Sequence, residues 1–284
     1  MYDLHIHSNC SDGSDDWRTI LQKAESAGLK CISITDHDNC NVYSQIESPE
    51  IYFSGKIITG IEMSAYFEGL SVELLGYGFN VTKMQECLKG LYLPFEEINQ
   101  EELKRLYERC LLLGMEFGHG TIEKYDKDRY FYGTIYLHYE MRKFEKNRKL
   151  VPDIESWEHE NIFFRRHTSN PNSLFYIDES DLIPSPERVI DIIHTTGGKA
   201  FIPHVYQYEE NSDMVLNRLV EACDIDGIEC YYPSYSQAQT EYLLNFCQKR
   251  NLLVSGGSDY HGTNRPEIEL GSMNFILERT DIYE

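Results

Sequence analysis

Short apolar runs in this chain end, one after another, on histidine or a carboxylate, and that recurrence narrows the architectures open to it. Tyr2–His5 leads into Asp3-Leu4-His5-Ile6-His7-Ser8, Cys31–Thr35 into Thr35-Asp36-His37-Asp38, and Ile57–Ile61 into Gly60-Ile61-Glu62. Ala200–His204 closes on Pro203-His204-Val205, and Leu252–Ser255 runs into Gly257-Ser258-Asp259-Tyr260-His261-Gly262. These runs have strand length and composition, as do Gly227–Tyr231 and, less clearly, Ser71–Gly76. Helical stretches alternate with them: Trp17–Ala27 behind acidic N-cap material, Pro186–Thr196 between Ser185 and Gly197-Gly198, Asp213–Cys223 and Gln237–Lys249. The alternation predicts βα units and a largely parallel sheet or barrel. In βα barrels the working residues sit at the C-terminal ends of the strands. The histidines and acids fall there.

The stretch 81–169 breaks this rhythm. Glu101–Leu113 has helical spacing, and Tyr125–Glu160 is dense in Tyr, Lys, Arg and Glu with little periodicity. It is expected to form an inserted, mainly helical capping lobe, with the barrel built from 1–80 and 170–284. A chain of 284 residues can carry one large domain with such an insertion. No apolar run approaches the roughly 20 residues of a membrane span, and no leader is visible. The 8 cysteines lack paired C-x-x-C spacing, so free thiols in a reducing cytoplasm are expected. A net charge of −21 argues against a duplex-binding face, though not against a short anionic substrate.

The side chains themselves point to metal. His5 and His7 lie one residue apart on a strand, hence on one face, where two imidazoles can hold zinc, manganese or iron. His37 is flanked by Asp36 and Asp38, and a metal-bound histidine usually hands its other N–H to a carboxylate. His37 is therefore read as a ligand and Asp36 as its support. Glu62 follows an apolar strand and has two oxygens with which to bridge two ions. Asp259 and His261 repeat the spacing of the first motif. Asp12, in Ser11-Asp12-Gly13, is either a ligand or a turn aspartate. Glu229, near a strand end, either supports a ligand or pairs within the barrel. His119, His138, His159, His167 and His194 lack such context and are read as structural. Cys10 and Cys40 lie near the ligand pieces in sequence and are read as small buried hydrophobes.

Taken in order, D-L-H-I-H-S with S-D-G, I-T-D-H-D, G-I-E, G-G-K-A-F-I-P-H and G-S-D-Y-H-G resemble the PHP (polymerase and histidinol phosphatase) family of metal-dependent phosphoesterases. The stretches E-L-L-G-Y-G and G-I-E-C-Y-Y-P-S look like the branch of nucleotide phosphatases and a 5′-to-3′ exonuclease. The resemblance implies a distorted (β/α)7 TIM-like barrel with two or three divalent ions. It assigns His5, His7, Glu62 and Asp259 to one ion and Asp12, His37 and His261 to a second. A third would share Glu62 and take His204 with Glu73, which stands where the family usually has histidine. A carboxylate there either favours a harder ion such as manganese or leaves the third ion weakly held or absent. The branch's phosphate-gripping Arg-Pro-His-like motif is missing. The stretch nearest to it is Phe131-Tyr132-Gly133-Thr134-Ile135, and Arg165, Arg166 and His167 either supply replacement cations or form a solvated basic run. Tyr235 stands where relatives often place histidine.

The expected activity is hydrolysis of a small phosphate monoester, a nucleotide or short oligonucleotide among the candidates, by attack of a metal-bound hydroxide. Glu62 would fix the metal pair, and Asp36 or Asp38 would orient His37 or accept a proton. The alternatives are a metallohydrolase of an amide bond and a metal-binding barrel without catalysis. Oligomeric state is not readable from the sequence.

Overall fold

The computed structural model describes residues 1–130 and 132–273; Phe131 and the last residues of the expected barrel segment lie outside them. The chain divides into two compact units. One comprises Met1–Ala65, Glu73–Leu91 and Ser185–Glu284; the other comprises Tyr66–Val72 and Tyr92–Pro184.

The first unit is a seven-stranded sheet in chain order, β1 (Tyr2–Asp3), β2 (Cys31–Ile34), β3 (Lys56–Phe67), β4 (Leu70–Tyr77), β5 (Lys199–Ile202), β6 (Gly227–Tyr231) and β7 (Leu253–Gly256). The tip between β3 and β4 belongs to the second unit. Four helices accompany the sheet: α1 (Trp17–Ser26), α2 (Val81–Leu88), α7 (Pro186–Thr195) and α8 (Ser212–Ala222), with α9 (Gln237–Arg250) as a fifth. The side chain of Asp16 caps α1 by accepting from Thr19 N–H at 2.8 Å, and Ser236 with Gln239 forms a capping box on α9. Apolar faces of α1 and β2 meet in a buried cluster of Ile6, Trp17, Ile20, Leu21, Ile32 and Ile34.

The sheet nearly closes on itself. β1 has only two residues, but the chain beyond it stays against the segment after β7. Leu4 N–H donates to Gly256 O at 3.1 Å, Asp259 N–H to His5 O at 2.8 Å and His7 N–H to Tyr260 O at 2.8 Å. The barrel seam therefore runs through the ligand motifs themselves.

One strand departs from the parallel expectation. β1–β2, β2–β3, β5–β6 and β6–β7 pair parallel, whereas β4 runs antiparallel to β5. The cause is local: Glu68 and Gly69 both take positive φ, 48° and 93°, a two-residue hairpin turn that returns the chain at once. No crossover helix can form between β3 and β4.

The second unit is mainly helical, with α3 (Phe95–Leu112), α4 (Gly133–Arg142), α5 (Ile154–Glu158) and α6 (Glu160–Phe163). Its core is aromatic and thioether-rich: Leu103, Leu106, Tyr136, Leu137, Met141, Trp157, Phe163 and Phe175 are buried together. Tyr125 and Tyr130 pack at tilted angles on the core residue Tyr136. All 8 cysteines are free thiols.

Candidate metal centre

Each ligand-type side chain reaches the centre by strand geometry. Ile6 points into the core and pairs with Tyr260, so His5 and His7 on either side of it share the opposite face. His37, just beyond β2, pairs with Glu62 on β3. Glu73 lies on β4. His204 and Asp259 follow β5 and β7 with φ of 22° and 57°, a conformation L-residues seldom adopt and which functional sites tend to hold. Gly257 is required by close approach: a Cβ there would stand 2.4 Å from His5 N.

Three sets of donor atoms result. The first is His5, His7, Glu62 and Asp259, all buried. Its separations are 3.1 Å for His5 Nε2–His7 Nε2, 3.1 Å and 3.2 Å from Glu62 Oε2 to those nitrogens, and 3.4 Å and 3.3 Å from Asp259 Oδ1. Donors about 2.0–2.2 Å from a common ion stand about 3.0–3.6 Å apart, depending on coordination number. Four such atoms cannot all hydrogen-bond across one point, but a cation at the centre would satisfy them together. The second set is Asp12, His37 and His261, with His7 beside them. His7 Nδ1 and His261 Nε2 are buried without an aligned hydrogen-bond partner, although Asp12 Oδ1 lies 3.6 Å and 3.2 Å away. The third is His37, Glu62 and Glu73. His204 Nε2 adjoins it, 2.9 Å from Glu62 Oε1 and 3.3 Å from Glu73 Oε2. Glu62 thus belongs to the first and third sets and lies 3.6 Å from His37 Nδ1 of the second, and the donor chemistry fits divalent ions. No cysteine belongs to these sets.

The field is that of a cation site. Burial opposes a charge on His5, but Glu62, Glu229 and Asp259 outweigh it and hold its pKa well above the ordinary value. His7 is likewise disfavoured by burial yet raised to about 10, by Asp259 and Glu62. Burial would push Glu62 and Asp259 up, but the imidazoles around them hold both well below the carboxylate range. Burial lowers His261, and its neighbour His7 lowers it further.

Around this centre stands a layer of carboxylates that the sequence left partly unread. Glu229 supports two ligands at once: Oε1 takes His5 Nδ1 at 3.0 Å, and Oε2 accepts the His204 backbone N–H at 2.7 Å. Asp36 does not support His37. Its oxygens accept from Ser8 N–H, Ser8 Oγ and Ser11 Oγ, each at 2.7 Å, which commits the side chain to the loop after His7. Asp38 holds Ser64 in the same two-point way, through N–H at 2.7 Å and Oγ at 2.8 Å. Asp3 holds Ser258 through N–H at 2.9 Å and Oγ at 2.6 Å. Asp259 splits its carboxylate: Oδ1 faces the imidazoles, while Oδ2 accepts from Tyr232 Oη at 2.8 Å and from Arg265. Asp3, Tyr232 and Arg265 were missed. Asp3, two residues before His5, and Tyr232, in G-I-E-C-Y-Y-P-S, stood within motifs of the sequence, and Arg265 did not.

The cations expected to replace the missing arginine lie in the second unit. Arg166 pairs with Asp153 and Glu155 at 2.7 Å and 2.8 Å. His167 sits on Phe163 and Phe175 with Nδ1 3.1 Å from Ser173 Oγ, and Arg165 also has partners. Arg166 and His167 therefore have structural work within their own unit. His138, at 3.0 Å from Ser156 O, and His194, at 2.7 Å from Asp226, are structural as expected.

A nearly closed barrel with a cage of imidazoles and carboxylates at its strand ends defines a metalloprotein of the βα-barrel class. The chain belongs to the PHP domain family, whose model matches residues 3–168. It is similar to a 5'-3' exoribonuclease of Haemophilus influenzae, 27% identical over 265 residues covering 92% of this chain and 89% of the relative. It is equally similar to the phosphoribosyl 1,2-cyclic phosphate 1,2-diphosphodiesterase of Eggerthella lenta, 27% identical over 268 residues covering 92% and 94%. Among solved structures it resembles a Bifidobacterium adolescentis protein assigned to the metal-dependent phosphoesterases. The TM-score is 0.65 with 24% identity, covering 96% of this chain and 91% of that one, a likeness of fold.

Proposed function

We propose that this chain is a metal-dependent phosphoesterase acting on a small, nucleotide-related phosphate ester. The observation that carries the reading is the convergence of His5, His7, Glu62 and Asp259 at ion-cage spacing, with two further donor sets sharing His7 and Glu62. In this reading His5, His7, Glu62 and Asp259 hold one ion, Asp12, His37 and His261 a second, and Glu62, Glu73 and His204 a third. Bound divalent ions would supply Lewis acidity toward the phosphoryl oxygens and an activated water. Glu62, common to the first and third sets, would be a ligand in both. Glu229 keeps His5 turned so that Nε2 faces inward. His37, Asp12 and Glu73 are the members open to solvent, at 25%, 25% and 35% exposure, so the ester arrives from their side. The two named relatives act, by their names, on RNA ends and on a cyclic sugar phosphate, and a compact phosphorylated nucleotide or sugar is the substrate class we assign here. No described helix is long and apolar enough to cross a membrane.

The test is phosphate release from nucleoside monophosphates, nucleoside bisphosphates, short ribonucleotides and sugar cyclic phosphates, with manganese, zinc or iron supplied, beside a panel of small amides. Turnover of a phosphate ester, lost in Glu62→Gln, is expected. Hydrolysis of amides alone, or of nothing by fully loaded protein, would overturn the reading.

A further inference from the structure

A guanidinium is bonded to one of the cage carboxylates, and the geometry points to Arg265 as the residue that binds the substrate's phosphate beside the centre. This rests on the phosphoesterase reading and deepens it. The buried members of the cage, His5, His7, Glu62 and Asp259, close its floor, whereas Asp12, His37 and Glu73 form the exposed rim. Arg265 is 37% exposed, comparable with that rim, and its Nη1 donates to Asp259 Oδ2, the oxygen turned away from the imidazoles. It is therefore fixed within one carboxylate of the first donor set while still reaching solvent.

Its position is built by the turn before it. Thr263 N–H donates to Ser14 Oγ at 2.8 Å, Asn264 Nδ2 to the Asp12 carbonyl at 2.7 Å, and Ser14 N–H to His261 O at 3.1 Å. These bonds moor the segment before Arg265 to the loop that carries Asp12, while Arg265 itself is bonded to Asp259. Tyr232 Oη shares Asp259 Oδ2 at 2.8 Å and narrows the guanidinium's freedom further. A guanidinium has five N–H donors in a rigid fork suited to phosphate oxygens. Only Nη1 has a hydrogen-bond partner among the described residues, which leaves Nε and Nη2 for a ligand. Lys23, the cation nearby in the same quarter, is taken up by Asp15 Oδ2 and Tyr260 Oη, each at 2.6 Å. An anionic phosphoryl group entering an otherwise acidic rim would meet Arg265 as its fixed positive partner.

The experiment uses the full chain loaded with manganese, inorganic phosphate as the binding probe in calorimetry, and 4-nitrophenyl phosphate as the kinetic probe. Arg265→Gln is expected to weaken phosphate binding and raise KM at least tenfold, with kcat within about threefold and metal content unchanged. Arg265→Lys, which keeps the charge beside Asp259 but loses the fork, is expected to restore only part of the affinity. Phosphate affinity within twofold of wild type in Arg265→Gln overturns the proposal. So does a metal content that falls in step with phosphate affinity, since Arg265 would then only position Asp259. So does wild-type protein that binds no phosphate. Wild-type protein that binds phosphate through Arg265 yet cleaves no ester would sink the hydrolase reading and leave the phosphate site standing.

Discussion

Glu229 shows how a single side chain can decide the competence of the centre without touching an ion. Its two oxygens fix the ring of His5 at 3.0 Å and the backbone of His204 at 2.7 Å, so one carboxylate orients members of two donor sets. Such outer partners typically govern metal affinity by about 10–100-fold. Glu229→Gln keeps the shape but cannot accept from His5 with the same charge. We expect its affinity for zinc or manganese, measured by competition against a chromophoric chelator, to fall by about that factor while thermal unfolding of the metal-free protein changes little. Unchanged affinity would show that His5 needs no support. The position was visible in the sequence as Gly227-Ile228-Glu229 at a strand end, but its partner was not, because His5 and Glu229 are 224 residues apart.

At the level of elements, three aspartate–serine clamps stitch neighbouring strand ends together. Asp36 draws the Ser8 loop onto the end of β2, Asp38 grips Ser64 on β3, and Asp3 ties β1 to Ser258 beyond β7. Each accepts both the N–H and the hydroxyl of one serine, so strand ends and the ligands on them share one fixed geometry. Asp3 also accepts the Gly271 N–H at 2.8 Å, and it is fully buried. Asp3→Ala would leave these donors buried and unpaired, at about 1–3 kcal/mol. Urea unfolding should read a loss of about that size, and a variant within 0.5 kcal/mol of wild type, roughly the spread of neutral surface changes, would contradict it. The ligand motifs were legible because each is short and local, and alternation along a strand fixes its face. The clamps were not, since Asp3 and Ser258 meet across 255 residues. The reversal at β4 was also missed: its only local sign is Glu68-Gly69, and turn chemistry alone does not say whether a parallel neighbour will follow. Asp36 misled because, just beyond β2, its oxygens are committed to Ser8 and Ser11 rather than to its sequence neighbour His37.

Across the whole molecule, net charge −21 is spent unevenly. Part of it sits in the cage, where imidazoles and the proposed ions answer it. Another part lies in the second unit, where Glu179 is buried with Oε1 lacking a hydrogen-bond partner and Glu102 lies near it. Burial pushes Glu102 up to about 7, and burial together with Glu102 pushes Glu179 well above the ordinary range. Below about pH 4 both carboxyls are protonated folded or unfolded, and the pair is neutral in its effect. As pH rises the unfolded chain loses its protons first, so stability falls, and the part due to Glu102 levels off once it ionises near pH 7. Glu179→Gln should therefore stabilise the protein by about 1–3 kcal/mol at pH 8 and by almost nothing at pH 4, read by urea unfolding at both. An equal effect at the two values would contradict the pair's role. The account as a whole turns on ions held by His5, His7, Glu62 and Asp259. Anomalous X-ray diffraction from crystals of the manganese-loaded chain tests it most directly. It should place one peak among His5 Nε2, His7 Nε2, Glu62 Oε2 and Asp259 Oδ1 and another beside Asp12, His37 and His261; a well-ordered, fully loaded crystal with no peak among these residues would contradict it.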